Sequence, residues 1–207
     1  MSHTQLTPVE IEQEREIAKR RVAFLDAKLA ALSLQQRQQL ADELAKTAAG
    51  AVKMLCDKLA LWKIQSSSDK PIRMDLHILS SSEMPTKNGR TVSGAAWPEI
   101  GVVGVLNHLA LAPKEVLRSV VIHECLHLMY PFMPHESTKQ PKIRSGILLD
   151  YKEENRVEEE WVRRMEARIC GLNHNLEYWE MAVEEFGDQW KPAYKKLKNN
   201  QVFQHTN

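Results

Sequence analysis

His123-Glu124-Cys125-Leu126-His127, which reads H-E-x-x-H, lies inside the apolar run Val120 to Leu128. Residues four apart share one face of an α-helix, so the two imidazoles would stand roughly 6 Å apart and could converge on one metal ion. Glu124 directly follows the first histidine. Its carboxylate can therefore flank such an ion without ligating it, placed to take a proton from a water held there. The flanking residues fit a helix: Pro113 opens it, Val116, Leu117, Val120 and Val121 lead up to the motif, and Pro131 and Pro134 close it. Three fixed identities in five residues also arise by chance on unrelated helices, and this helical frame is what weighs against coincidence.

A chain of 207 residues is long enough for one well-buried core, with or without a helical appendage. Its net charge of +1 predicts no general affinity for nucleic acid or for acidic membranes. The cysteines, Cys56, Cys125 and Cys170, are scattered and odd in number, which argues against a disulfide framework and for a reducing compartment. The first residues carry no basic-then-apolar signal pattern, and no apolar run is long enough to span a bilayer. The expectation is a cytoplasmic protein with no membrane partner, with signal-less secretion left open.

The first third reads as helix. Thr7-Pro8 makes a cap and first turn, and Ile11, Ile17, Val22, Phe24, Leu25, Leu29 and Leu32 recur at helical steps. Ser33 can cap a second helix with the stripe Leu40, Leu44, Ala48, Val52, Leu55, Leu59 and Trp62. Such a hairpin would dock on the catalytic body or serve self-association. Ser66-Ser67-Ser68-Asp69 ends the pattern, which divides the chain into a helical region, 1–65, and a second region, 66–207. Beyond the boundary Ile72, Met74, Leu76 and Ile78 alternate with polar residues, His77 among them, as in a half-buried strand. The segment Thr91 to Trp97 predicts a second, irregular strand, and Ile100 to Leu106 a third, mostly buried one. A small sheet packed on the motif helix would present an edge strand beside the metal, to which an extended peptide could add.

A catalytic zinc site needs a third protein ligand. Tyr151 to Leu172 reads as a helix whose apolar face is Val157, Trp161, Val162, Met165, Ile169 and Leu172. At about 100° per residue, Glu154 and Glu158 fall within that face, while Glu153, Glu159 and Glu160 fall at its edge or behind it. Acids on an apolar face are costly unless a cation meets them. His135, in the proline-turned segment after the motif, is a rival third ligand. Cys125 lies on another side of the helix and reads as core. His108, His174 and His205 have no ligand-like spacing.

His123-Glu124-x-x-His127 followed by Glu154-x-x-x-Glu158 resembles the gluzincin metallopeptidases, and among them looks most like the minimal ImmA/IrrE-type peptidases. The resemblance covers roughly residues 72 to 172. It implies an α+β fold, a small zincin-like sheet packed on the H-E-x-x-H helix, flanked here by the N-terminal helical hairpin and C-terminal helices. It also implies Zn2+ held by His123, His127 and Glu154, with Glu158 orienting a ligand histidine through its other ring nitrogen. Glu158 is one methylene longer than the family's usual aspartate and is itself an alternative ligand. With His135 as third ligand the chain would instead resemble the three-histidine SprT-like or YgjP-like proteins.

The implied activity is a zinc-dependent endopeptidase acting on a specific protein or peptide, Glu124 serving as general base on zinc-bound water. Tyr130, His135, Arg144 and Tyr151 are candidates to stabilise the oxyanion. Pro131 to Asp150 would form a lid over the cleft. The competing class is a zincin-fold binding or regulatory protein, or a SprT-like nucleic-acid-associated one. The intact Glu124 argues against the first, and the near-neutral charge against the second. At the C-terminal end, Gly171 can close the acid-bearing helix, and Leu176, Trp179, Val183, Phe186 and Trp190 predict one further helix. The lysines from Lys191 to Lys198 read as a solvated helix end.

Overall fold

The computed structural model describes residues 7–61, 74–87, 89–130, 151–171 and 176–204, the side chains of 61, 151–155 and 201–204 excepted. Helix α1 spans Pro8–Ala30 and opens with a reciprocal cap: Thr7 Oγ1 accepts from the Glu10 N–H at 3.3 Å, and the Glu10 carboxylate accepts from the Thr7 N–H at 2.7 Å. Helix α2, Leu34–Leu61, opens the same way through Ser33 and Gln36. Both starts fall where the capping residues predict them. The boundary expected at Ser66 to Asp69 lies outside the described residues, as does Trp62.

Strand β1, Asp75–Leu79, leads to a two-residue hairpin of β2, Thr86–Lys87, and β3, Arg90–Thr91. Strands β4, Gly94–Trp97, and β5, Val102–Leu106, follow. The main sheet has the order β1-β5-β4, with β1 parallel and β4 antiparallel to the central β5. Alternation along β5 sends Val103 and Val105, both fully buried, to the helix-covered face. Ile78, expected on the inner side of β1, is 38 % exposed; among the described residues β1 is an outer strand.

Helix α3, Lys114–Met129, starts from Pro113 and is the hub of the fold. Val116, Leu117, Val120, Val121, Ile122, Cys125, Leu126 and Leu128 are all buried, on every side of the helix. A helix apolar all round must be enclosed. It is enclosed by α2, by β4 and β5, by α4, Tyr151–Cys170, and by α5, Leu176–Phe186. On α2 the residues facing it are Leu44, Ala48, Ala51, Leu55 and Leu59, none more than 5 % exposed. One continuous core thus runs from the N-terminal helices through the sheet to the C-terminal ones. The hairpin is docked on the body.

The single helix expected from Leu176 to Trp190 is two. Gly187, at φ 48, takes the left-handed conformation that side chains resist. A 3-10 turn, Gly187–Gln189, then separates α5 from α6, Trp190–Gln204. The break lets Trp190 meet the edges of Trp179 and Tyr194, at 6.5 and 6.3 Å between centroids, while Phe186 is left exposed. Among the described residues no helix is long and apolar enough to cross a membrane.

Helix α1 is attached differently from what its apolar spacing suggests. Only Ala18 and Leu25 are buried on it, and Ile11 is exposed. Polar contacts hold it: Arg21 meets Glu180 and Glu184 of α5 at 2.9 and 2.7 Å, and Lys28 pairs with Asp188. Asp26 accepts from the buried His108 Nε2 at 2.7 Å and from the Ser81 hydroxyl at 2.9 Å. Truncating Asp26 would leave a buried imidazole without that partner. Asp26→Ala is expected to destabilise the fold by about 1–3 kcal/mol, measured as a fall in the urea midpoint at constant m. An unchanged midpoint would show that α1 is held without it.

Candidate metal centre

The second half of α3 and the middle of α4 build the site. His123 and His127, one turn apart on α3, turn their rings edge-on, with centroids 4.8 Å apart at 69°. Their Nε2 atoms face each other at 3.1 Å. Each Nδ1 points the other way, onto a carboxylate from α4. His123 Nδ1 lies 3.0 Å from Glu166 Oε2, and His127 Nδ1 lies 2.7 Å from Glu158 Oε1. A carboxylate only accepts, so each Nδ1–H donates to it and each Nε2 is left facing inward.

Glu159 closes the group. Its carboxylate oxygens lie 3.3 Å from His127 Nε2 and 3.9 Å from His123 Nε2. One donor atom from each of His123, His127 and Glu159 falls within 4.8 Å of the others. Zinc bonds of about 2.0–2.1 Å in tetrahedral geometry set ligand atoms about 3.3 Å apart, so these three residues fit a divalent ion.

The acids sit where they do because of how α4 is rotated. Its buried side is centred on Val162, Met165, Glu166 and Ile169, with Val157 and Trp161 only half-buried at the edge. Trp161 instead meets the edge of the Tyr130 ring, 5.3 Å between centroids. Glu159, assigned from spacing to the edge or rear of the apolar face, therefore reaches the histidines. Glu158 orients His127. The side chain of Glu154 and the whole of His135 lie outside the described residues, as do Arg144, the Tyr151 side chain and the segment 131–150.

Glu166 is 1 % exposed, and it also accepts a hydrogen bond from the buried Ser119 hydroxyl of α3. Its signal was present in the sequence: it stands four residues after Val162 and three before Ile169, an acid inside an apolar stripe. Such an acid needs donors around it. Ser119 and His123 supply them.

Burial alone would push the His127 imidazole down, but the carboxylates of Glu158 and Glu159 outweigh it and hold it up at about 9. The Glu159 carboxyl is drawn far below the ordinary range by its bond to His127, against burial, with help from Arg163. Burial raises Glu124, and the two histidines oppose the rise. Cys125 is buried, pushed up to about 12 mainly by loss of solvent, and packs its sulfur 3.1 Å from Met74 Sδ. It is core.

In the metal-free chain a proton on His127 does the work that a metal would do, so metal entry must displace it. Calorimetric zinc titrations at pH 7.5 in two buffers of different ionisation enthalpy are expected to show about one proton released per ion. Equal heats in both buffers would contradict this arrangement. Glu158→Gln and Glu166→Gln should each weaken zinc binding about 10–100-fold, read by competition with a chromophoric chelator, and Glu159→Gln by more than either. Comparison with known proteins adds nothing to this assignment: no protein-family model, curated protein or solved structure matches the chain.

Proposed function

We propose that the chain is a zinc-dependent endopeptidase of zincin-like architecture, similar to the gluzincins, that cuts a peptide bond in a specific protein substrate. The observation that carries this reading is the conjunction on α3 and α4. Two Nε2 atoms and the Glu159 carboxylate converge, both outward ring nitrogens are held by acids, and Glu124 stands beside them. A structural cluster would need the pairings but not two Nε2 atoms turned toward one carboxylate.

His123, His127 and Glu159 would hold the ion. Zinc suits two imidazoles and a carboxylate, and when bound it acidifies a water on its open side and polarises a carbonyl. Glu124 is not in the converging set and is free to accept the proton of that water and return one to the departing amine. Glu158 and Glu166 fix the tautomer and aim of the two rings. Among the described residues strand β4 is an outer strand of the sheet, and it packs on α3, so a peptide added along it by main-chain hydrogen bonds would run beside the histidines. Binding through the backbone gives little sequence preference by itself. Selectivity then falls to the surfaces that the long helical additions supply.

Glu124→Gln is the direct test. The variant is expected to retain one zinc per chain by elemental analysis and to lose proteolysis by about 10²–10⁴-fold, with termini in cells expressing wild type or variant identifying the substrate. Undiminished cleavage by a zinc-loaded variant would refute the general-base role. A wild type that binds zinc and generates no new termini would favour a binding or regulatory protein instead.

A further inference from the structure

Gly94 opens strand β4, and the strand gives no backbone reason for a glycine. Its φ is not among the positive values, which fall at Gly89, Gly101, Gly171 and Gly187. Inside a strand a glycine costs stability through chain entropy and an absent side chain. What it accommodates is Glu124. A β-carbon at position 94 would lie 2.6 Å from Glu124 Cγ, 2.7 Å from Oε1 and 2.9 Å from Cδ, all well inside contact distance.

The pairing of β4 with β5 explains the encounter. Gly94 is opposite Val105, and Ala96 is opposite Val103. Both valines are fully buried on the face that packs against α3. Gly94 and Ala96 share that face. Glu124 projects from α3 onto it, and its chain lies across the bare α-carbon of residue 94.

We propose that Gly94 is a positioning residue: by lacking a side chain it lets the outer strand seat the Glu124 carboxylate, so the element suited to pair with a peptide also fixes the base that would act on it. That the seated group serves as a base rests on the peptidase reading. The contact itself does not. The three nearest atoms a β-carbon would strike all belong to the Glu124 side chain rather than to backbone. Gly94→Ala should therefore displace Glu124 and leave the strand, α3 and the ligands His123, His127 and Glu159 in place.

Two measurements on the full chain separate the contact from the chemistry. The first is a thermal double-mutant cycle of Gly94→Ala and Glu124→Ala. Gly94→Ala should change Tm more favourably, by about 3 °C or more, when residue 124 is alanine than when it is glutamate. The second uses zinc-loaded protein and fluorescein-labelled casein. Gly94→Ala should bind zinc with wild-type affinity, cleave at the level of Glu124→Gln, and cause no further loss when combined with it. Equal Tm changes in the two backgrounds would overturn the proposal, as would wild-type cleavage by Gly94→Ala. Should the wild type leave casein intact, as a peptidase selective for another protein would, the Tm cycle by itself decides whether residue 94 seats Glu124.

Discussion

Two hydrogen bonds from imidazole Nδ1 groups to carboxylates on a neighbouring helix decide how this structure is to be understood. Glu166 takes one from His123 and Glu158 takes the other from His127. Without them each ring could rotate or exchange tautomers, and the Nε2 atoms would have no reason to face each other at 3.1 Å. Two Nε2 atoms at that separation need a proton or a metal ion between them. The same geometry gathers acids around that point, since Glu159 completes the group and Glu124 stands alongside.

The rest of the fold holds α3 and α4 in that relation. Burial of α3 on all sides fixes its rotation, because any turn of the helix would exchange valines, isoleucine and leucines for the histidines. Val162, Met165 and Ile169 do the same for α4 from one side, and Glu166 is carried into the core among them. Burying a carboxylate there is tolerable because donors meet it, Ser119 and His123 among them. Stability and site geometry are thus coupled through Glu166. The N-terminal helices take part in the same core through α2, while α1 is attached largely by ion pairs and the Asp26 contact with His108.

The sequence was most informative where a single element carried the signal. Caps at Thr7 and Ser33, the stripe on α2, the buried strand β5 and the motif helix after Pro113 are each written in local residue order, and each lies where it is expected. Three kinds of information were not local. The rotation of α4 about its axis depends on what it packs against: Trp161 could have been central, but meets Tyr130 at the edge, and that rotation brings Glu159 rather than its neighbours onto the inward nitrogens. The partition of the C-terminal stripe into α5 and α6 turns on Gly187, a residue that helical periodicity alone reads through. The service of Gly94 to Glu124 requires knowing that β4 lies against α3, which no spacing within either segment states.

Zinc K-edge X-ray absorption on the stoichiometric complex reads whether one zinc ion is held by two imidazole nitrogens and a carboxylate. Two imidazole scattering patterns are expected, with oxygen at about 2.0–2.1 Å completing the shell, and loss of one imidazole pattern in His127→Ala. A shell containing sulfur, or one unchanged in His127→Ala, would contradict that ligand set.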